Sequence, residues 1–287
     1  KRLGGELKEA TGKEIPLYIS EIGYSTKPGG EVTELEQAAY LARVALINRG
    51  LPNLKACVWH IGLWNDATSQ RELDYGIIRG HPKDSPLREP KPAFAAWATM
   101  SRQTYNADYL CDLEFGRGTR AMLFSRKGQP LLVVYALSRG SKSLKIPLSC
   151  KKASLTDLCG SVSEQQVEGG ILQVSVDECP LYISSDSKED LQRLKDFKVD
   201  FTPKELSAKA GDTIAVEMKG KPLALPGASL KLDLPTGWKG AISGSGESRE
   251  LRIEAPKDTE PGEQSFFIHV VLGGESRYIW RRDVSIT

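Results

Sequence analysis

The sequence lacks an excess of charge of one sign. Its Lys and Arg residues number 39 and its Asp and Glu residues 37, which leaves a formal net charge of +2. Such a balance gives no extended basic surface for a polyanion, so nucleic acid is not an expected partner. Long apolar runs are also absent. The longest, Leu131 to Leu137, is far shorter than the ~18 residues that a membrane-spanning helix needs.

Cysteine is scarce as well. The five cysteines, Cys57, Cys111, Cys150, Cys159 and Cys179, are scattered and include no CxxC pair. The sequence therefore predicts neither a disulfide scaffold nor a zinc site, and no cofactor. A Cys150–Cys159 bridge across a hairpin and free buried thiols both remain open. The N-terminus has neither a Met nor an apolar secretion segment, so targeting cannot be read from it and a cut before Lys1 is one interpretation.

What is present is the composition of a globular protein. The chain has 287 residues, of which 40% are hydrophobic and 26% charged, and this length predicts two or three domains of about 100–200 residues each. Its first part alternates helix and strand. Ile15–Ser20 and Leu54–Ile61 are expected to be parallel strands covered on both faces. A capping box of Thr33 and Glu36 begins the helix between them, and Pro92 begins a last helix.

From about Ala107 the apolar residues follow a period of two, and turn residues separate the short runs. This pattern predicts antiparallel β-sandwiches. The charged stretch Ser187–Asp196 is interpreted as a linker between them. The predicted fold class is thus α/β followed by all-β, with an α/β part at 1–106, a β-sandwich at 107–189 and an immunoglobulin-like β-sandwich at 195–287.

Two side chains stand where α/β enzymes place their catalytic groups. Glu21 follows the first predicted strand and Trp59 lies near the end of the second. The ends of two parallel strands joined by a right-handed crossover meet at one rim of the sheet. A carboxylate there can act on a substrate, and an indole beside it offers a flat platform for a sugar ring. The alternative is that Glu21 is a solvated strand-end residue and Trp59 a core residue.

Short motifs then resemble a known class of enzyme. Ile19–Ser25 (ISEIGYS) resembles the seventh strand of retaining (β/α)8-barrel glycoside hydrolases, and Cys57–His60 (CVWH) resembles their eighth strand. Leu73–Ile78 (LDYGII) and Pro90–Phe94 (PKPAF) look like the stretch in which such chains leave the barrel. The resemblance implies the terminal part of a (β/α)8 barrel, with strands 7 and 8.

The resemblance continues into the β-rich part. Thr156–Gly160 (TDLCG) and Pro180–Ile183 (PLYI) look like turns and strands of the β-sandwich beside such barrels. Leu234–Trp238 (LPTGW) resembles part of an immunoglobulin-like domain of the α-galactosidase-associated type, which is appended to many secreted carbohydrate enzymes. The setting implied is secreted or periplasmic, although the lone cysteines fit it less well.

For the site, the resemblance implies that Glu21 is the nucleophile and that Trp59 forms the floor of the sugar subsite. The other residues that we expect to bind substrate are His60, Tyr24, Trp64, Asn65 and Asp66. Each has a structural alternative: His60 as a hydrogen-bonded core histidine, and the loop residues as plain loop packing.

The catalytic pair is incomplete in this sequence. Retaining hydrolysis needs two carboxyl groups about 5–5.5 Å apart, and the resemblance places the acid on the fourth barrel strand, which the sequence lacks. Asp66, Glu72 and Asp74 follow strand 8, but nothing makes any of them a convincing acid. The preferred interpretation is the C-terminal part of a retaining glycoside hydrolase acting on a carbohydrate. It needs a missing N-terminal barrel portion or a second chain to complete it. The rival is a non-catalytic carbohydrate-binding or scaffolding fragment.

Overall fold

The computed structural model describes residues 2–27, 32–60, 74–79, 89–115 and 118–287. Trp64, Asn65, Asp66 and Glu72, which the sequence singled out, lie outside the described residues. The α/β part contains α1 (Arg2–Thr11), β1 (Leu17–Ile22), α2 (Glu34–Arg49), β2 (Leu54–Trp59), β3 (Ile78–Arg79), β4 (Glu89–Pro90) and α3 (Pro92–Thr104). None of the described helices is long and apolar enough to cross a membrane.

Helix α2 begins at the predicted capping box. The Thr33 hydroxyl accepts a hydrogen bond from the Glu36 backbone N–H, and the Glu36 carboxylate accepts one from the Thr33 N–H. Ala38, Ala39 and Ala42 are fully buried on this helix. Their small side chains allow the close packing of α2 against α3. Helix α2 also packs against β2.

Strands β1 and β2 pair in parallel, as predicted, but each contains an irregularity. Ile19 pairs with Cys57 and Ile22 with Trp59, so β1 has one more residue than β2 between these pairs. An extra residue of this kind is a β-bulge. Tyr18 is 67% and Val58 53% exposed, so the described residues do not cover both faces of the two strands, and the expected cover stays a prediction.

The remainder is almost entirely β-structure. Its elements are β5 (Ala107–Leu113), β6 (Thr119–Arg126), β7 (Gln129–Ala136), β8 (Lys142–Pro147), β9 (Lys152–Thr156), β10 (Val162–Gln166), β11 (Ile171–Val176), β12 (Leu181–Ser184), α4 (Lys188–Lys195), β13 (Asp200–Thr202), β14 (Leu206–Ala208), β15 (Thr213–Lys219), a 3₁₀ helix (Lys221–Ala224), β16 (Ser229–Asp233), β17 (Lys239–Ser243), β18 (Ser248–Glu254), β19 (Gly262–Leu272) and β20 (Glu275–Ile286). The prediction of an α/β segment followed by all-β structure is confirmed.

The strands form mostly antiparallel sheets. One sheet has the order β10-β9-β12-β7-β6-β5, and β11 pairs with β8. Two four-stranded sheets follow, with the orders β13-β15-β18-β17 and β14-β20-β19-β16. Strand β15 alternates exposed and buried residues along its whole length, as a strand does when one face packs on a core and the other meets water.

A helix stands where the sequence predicted a linker. Helix α4 buries its residues Leu191 and Leu194, and its Asp190 is fully buried as well. Asp190 accepts hydrogen bonds from the Ser185 hydroxyl at 2.6 Å, the Ser149 hydroxyl at 2.7 Å and the Cys150 backbone N–H at 3.4 Å. These bonds compensate the cost of burying its charge. This stretch is therefore a packed helix, and its place between two domains stays a prediction.

The chain forms two compact units. The first comprises Lys1–Tyr109, Thr156–Val162 and Glu178–Tyr182, and the second comprises Leu110–Leu155, Ser163–Asp177 and Ile183–Thr287. The boundaries of the three predicted domains stay a prediction. All five cysteines are free thiols, so the Cys150–Cys159 bridge is absent from this structure.

Candidate active site

Glu21 lies in the bulge of β1. Exposed and half-buried residues alternate along the strand until Ser20 and Glu21, which are both exposed. The extra residue therefore interrupts the alternation at this carboxylate. The Glu21 side chain is 72% exposed, so it is open to a substrate. Bulges often re-aim side chains next to functional sites.

His60 directly follows β2 and comes close to Glu21. Its backbone N–H donates to the Ile22 carbonyl at 2.8 Å, which continues the pairing of the two strands. Its Nδ1 lies 3.8 Å from Glu21 Oε1. That distance is too long for a hydrogen bond, but it places an imidazole beside the carboxylate. The two strand ends meet at one rim, as the sequence predicted.

Gly23 allows the neighbouring rings to approach this rim. A Cβ atom on Gly23 would lie 3.0 Å from Cδ1 of Tyr75 and 3.1 Å from Cβ of His60. The rings of His60 and Tyr75 pack edge to face, with centroids 5.0 Å apart and an interplanar angle of 85°. The absence of a side chain at Gly23 thus lets Tyr75 hold His60 from the side.

Trp59 and Tyr24 form a second aromatic contact. Their ring centroids lie 6.1 Å apart at 47°, and Tyr24 also contacts Tyr40 of α2 at 4.9 Å. The indole Nε1 of Trp59 is buried, with no hydrogen-bond partner among the residues that the structure describes. The predicted role of Trp59 as a sugar platform stays a prediction, as do the substrate-binding roles of Tyr24 and His60.

Two buried polar residues near the rim escaped sequence analysis. The first is Gln37 of α2, which is fully buried. Its Nε2 donates to the backbone carbonyls of Tyr24 at 2.8 Å, Tyr75 at 3.0 Å and Asp74 at 3.3 Å. The signal that could have found it is a Gln within a run of small apolar helix residues, but a polar helix residue usually faces solvent.

The second is Lys91, which is 2% exposed and immediately precedes α3. Its Nζ donates to the Thr26 hydroxyl at 3.0 Å and to the Asp74 carbonyl at 3.1 Å. Burial lowers the pKa of Lys91, and the carboxylates of Asp74 and Glu34 oppose this shift. Among the described residues, no group of three or more His, Cys, Asp and Glu could hold a metal ion.

Comparison with solved structures relates this fold to carbohydrate enzymes. A family 39 glycoside hydrolase from the gut symbiont Bacteroides cellulosilyticus WH2 matches 65% of this chain with a TM-score of 0.53 and 22% sequence identity. The chain shares its fold with part of a glycoside hydrolase. It spans only 37% of the length of that enzyme, so the comparison concerns the fold and leaves the activity of this chain to be tested.

Two xylanases of glycoside hydrolase family 30 are more distant. The endoxylanase from Clostridium papyrosolvens C71 has a TM-score of 0.39 at 10% identity and covers 63% of this chain and 45% of its own. The subfamily 8 xylanase from Clostridium acetobutylicum has a TM-score of 0.42 at 12% identity, with the same coverage. No protein-family model and no curated protein matches the sequence.

Proposed function

We propose that this chain is the C-terminal part of a retaining glycoside hydrolase and that Glu21 is its nucleophile. The observation that carries the proposal is the exposed Glu21 carboxylate, set in a bulge at the end of a parallel strand and 3.8 Å from His60. The fold shared with a family 39 enzyme and the motifs around Glu21 and Trp59 support the same function.

The reaction follows from the chemistry of the carboxylate. Glu21 attacks the anomeric carbon of the sugar and forms a covalent glycosyl ester, while a second carboxyl group donates its proton to the departing glycosidic oxygen. Water then attacks the same carbon, gives its proton to the second carboxylate and releases Glu21. Both steps invert the anomeric centre, so the configuration is retained overall.

The second carboxyl group is not assigned to a residue of this chain. Of the three weak candidates, Asp66 and Glu72 lie outside the described residues. Asp74 follows them with a positive φ of 65°, and its backbone carbonyl is engaged by Thr26, Gln37 and Lys91. We expect the acid to come from another segment of the natural protein or from a second chain, because the resemblance to retaining glycoside hydrolases places it on the fourth barrel strand.

The edges of the small parallel sheet argue for such a segment. Among the described residues, β1 and β2 pair only with each other, and Tyr18 and Val58 are largely exposed. Unpaired strand edges are a liability that a closed barrel removes. Further strands pairing with β1 and β2 would cover these side chains and bring the acid to the rim. A secreted or periplasmic location belongs to the same proposal.

The second candidate function is a non-catalytic carbohydrate-binding or scaffolding fragment. What favours it is that the chain spans only 37% of the family 39 enzyme. The two candidates are separated by incubating this chain, and separately the natural full-length protein, with aryl glycosides and natural polysaccharides. Release of sugar by the full-length protein supports the enzyme. Binding without release by the full-length protein supports the rival.

The role of Trp59 can be tested on the same substrates. If its indole stacks on the reacting sugar, Trp59→Ala should weaken substrate binding and turnover together, by about 2- to 10-fold in kcat/KM, because an aromatic contact contributes about 0.5–1.5 kcal/mol. Trp59→Phe should do less harm. Unchanged kinetics with a lower melting temperature would identify Trp59 as a core residue instead.

A further inference from the structure

Several segments that are far apart in sequence meet around one carbonyl group. The Asp74 carbonyl accepts from the Thr26 backbone N–H at 3.1 Å, the Thr26 hydroxyl at 3.1 Å, the Lys91 Nζ at 3.1 Å and the Gln37 Nε2 at 3.3 Å. These donors come from the segment after β1, from α2 and from the residue before α3. The carbonyl thus joins several elements around the candidate site.

The orientation of the Gln37 amide is fixed by its surroundings. The three groups facing its Nε2 are all backbone carbonyls, of Tyr24, Asp74 and Tyr75. Carbonyls only accept hydrogen bonds, so the NH₂ group and not the oxygen must face them. A side chain without donors would leave these buried carbonyls with fewer partners, which carries a cost.

The hydrogen bonds to the Asp74 carbonyl hold the backbone of this residue in an unfavourable conformation. Asp74 has a φ of 65°, in the left-handed region that non-glycine residues seldom occupy. The hydrogen bonds to its carbonyl hold that conformation and fix where the chain continues into Tyr75. The Tyr75 ring then packs against His60, and His60 lies beside Glu21.

We propose that Gln37 and Lys91 are positioning residues, which hold Tyr24–Thr26 and Asp74–Tyr75 so that Tyr75 keeps His60 beside Glu21. We call Gln37, Lys91 and Thr26, the three residues that donate to the Asp74 carbonyl, the Gln37–Lys91 brace. Neither residue needs to touch substrate. The inference deepens the proposed hydrolase function and rests on it for the catalytic consequence, whereas the positioning of His60 can be measured without any reaction.

The test compares three variants of the natural full-length protein. Gln37→Met keeps the length of the side chain and removes its donors, and Thr26→Val removes the hydroxyl between Lys91 and Asp74. Gln103→Met is the matched control, because it removes the hydrogen bond from Gln103 of α3 to the Thr156 hydroxyl at 3.1 Å, away from the Gln37–Lys91 brace. Thermal unfolding identifies which variants are folded.

The first readout is the NMR signal of His60. The His60 ring protons are assigned by their disappearance from the spectrum of a His60→Gln variant. Gln37→Met and Thr26→Val should shift these protons and weaken the nuclear Overhauser effect between the His60 and Tyr75 rings. Gln103→Met should leave both unchanged.

The second readout is turnover of an aryl glycoside. Both brace variants should lower kcat by about 10- to 100-fold with little change in KM, because moving the imidazole that lies beside the nucleophile Glu21 by about 1 Å costs rate at that order. A folded Gln37→Met protein with unchanged His60 signals and unchanged kcat would overturn the inference. Equal changes in Gln103→Met would overturn it too, because they would show that loss of a hydrogen bond elsewhere in the fold has the same effect. If Gln37→Met does not fold, Thr26→Val decides.

Failure of the proposed function gives a different result. If the full-length protein hydrolyses glycosides no faster than a buffer blank, the hydrolase proposal fails. If the Glu21→Gln variant hydrolyses them as fast as wild type, the assignment of Glu21 as nucleophile fails. The His60 signals then decide alone whether the Gln37–Lys91 brace positions the imidazole. A loss of the His60–Tyr75 contact in Gln37→Met supports it, and retention of the contact rejects it.

Discussion

Glu21→Gln in the natural full-length protein is expected to lower kcat by several orders of magnitude, on the order of 10³-fold or more. The amide keeps the shape of the side chain but cannot form the glycosyl ester. Folding should be unaffected, because the Glu21 side chain is 72% exposed. Glu14→Gln is the control, since Glu14 is an exposed carboxylate of the same unit that pairs with Lys8, and it should retain wild-type turnover.

A smaller replacement adds a test of the stereochemistry. In Glu21→Gly, azide can occupy the space left by the carboxylate and attack the anomeric carbon directly. Turnover should then recover with added azide, and the glycosyl azide should have the inverted configuration at that carbon. Near-normal turnover by Glu21→Gln would remove Glu21 from the mechanism.

The largest expected effect on stability is at Trp280 of β20. This side chain is 2% exposed, and its Nε1 donates to the Phe197 carbonyl at 2.8 Å. Its ring stacks on Tyr278 with centroids 6.0 Å apart and contacts Phe197 at 5.4 Å. Trp280→Ala leaves a cavity and an unpaired buried carbonyl. We expect the free energy of unfolding to fall by about 3–5 kcal/mol.

Chemical denaturation followed by circular dichroism would measure this loss. Trp280→Phe should lose less, because it keeps most of the ring contacts and removes only the hydrogen bond and part of the volume. Leu137→Ala is the exposed control in the same unit, as Leu137 is 56% exposed, and it should change stability by about 0.5 kcal/mol or less. Equal effects of Trp280→Ala and Leu137→Ala would contradict the packing described for β20.

Local signals predicted many of the elements. The Thr33–Glu36 capping box predicted the start of α2, and Pro92 predicted the start of α3, since both signals depend on residues adjacent in the chain. Strand β1 was predicted two residues too early, at Ile15–Ser20 and not Leu17–Ile22. The bulge is the reason, because an extra residue breaks the apolar pattern just where the strand continues.

What the sequence could not predict depends on distant partners. Helix α4 was missed because its many charged residues hide the two leucines, and nothing local reveals that Asp190 is met by Ser149 and Ser185. Gln37 was missed for the same reason, as its three acceptors come from Tyr24 and from the segment at Asp74–Tyr75. Glu21 could be singled out because a carboxylate that follows an apolar strand is a local pattern, which spans only a few consecutive residues.

The bulge in β1 makes the direction of the Glu21 carboxylate depend on the number of residues before it, and not only on their identity. Between Ile19 and Ile22, β1 contains two residues where β2 has a single one. Exchange of Ser20 for another small residue preserves that number, whereas loss of Ser20 leaves one residue opposite one between these pairs and turns the following side chains to the opposite face. Among descendants of this sequence, substitutions at position 20 should therefore persist far more often than deletions.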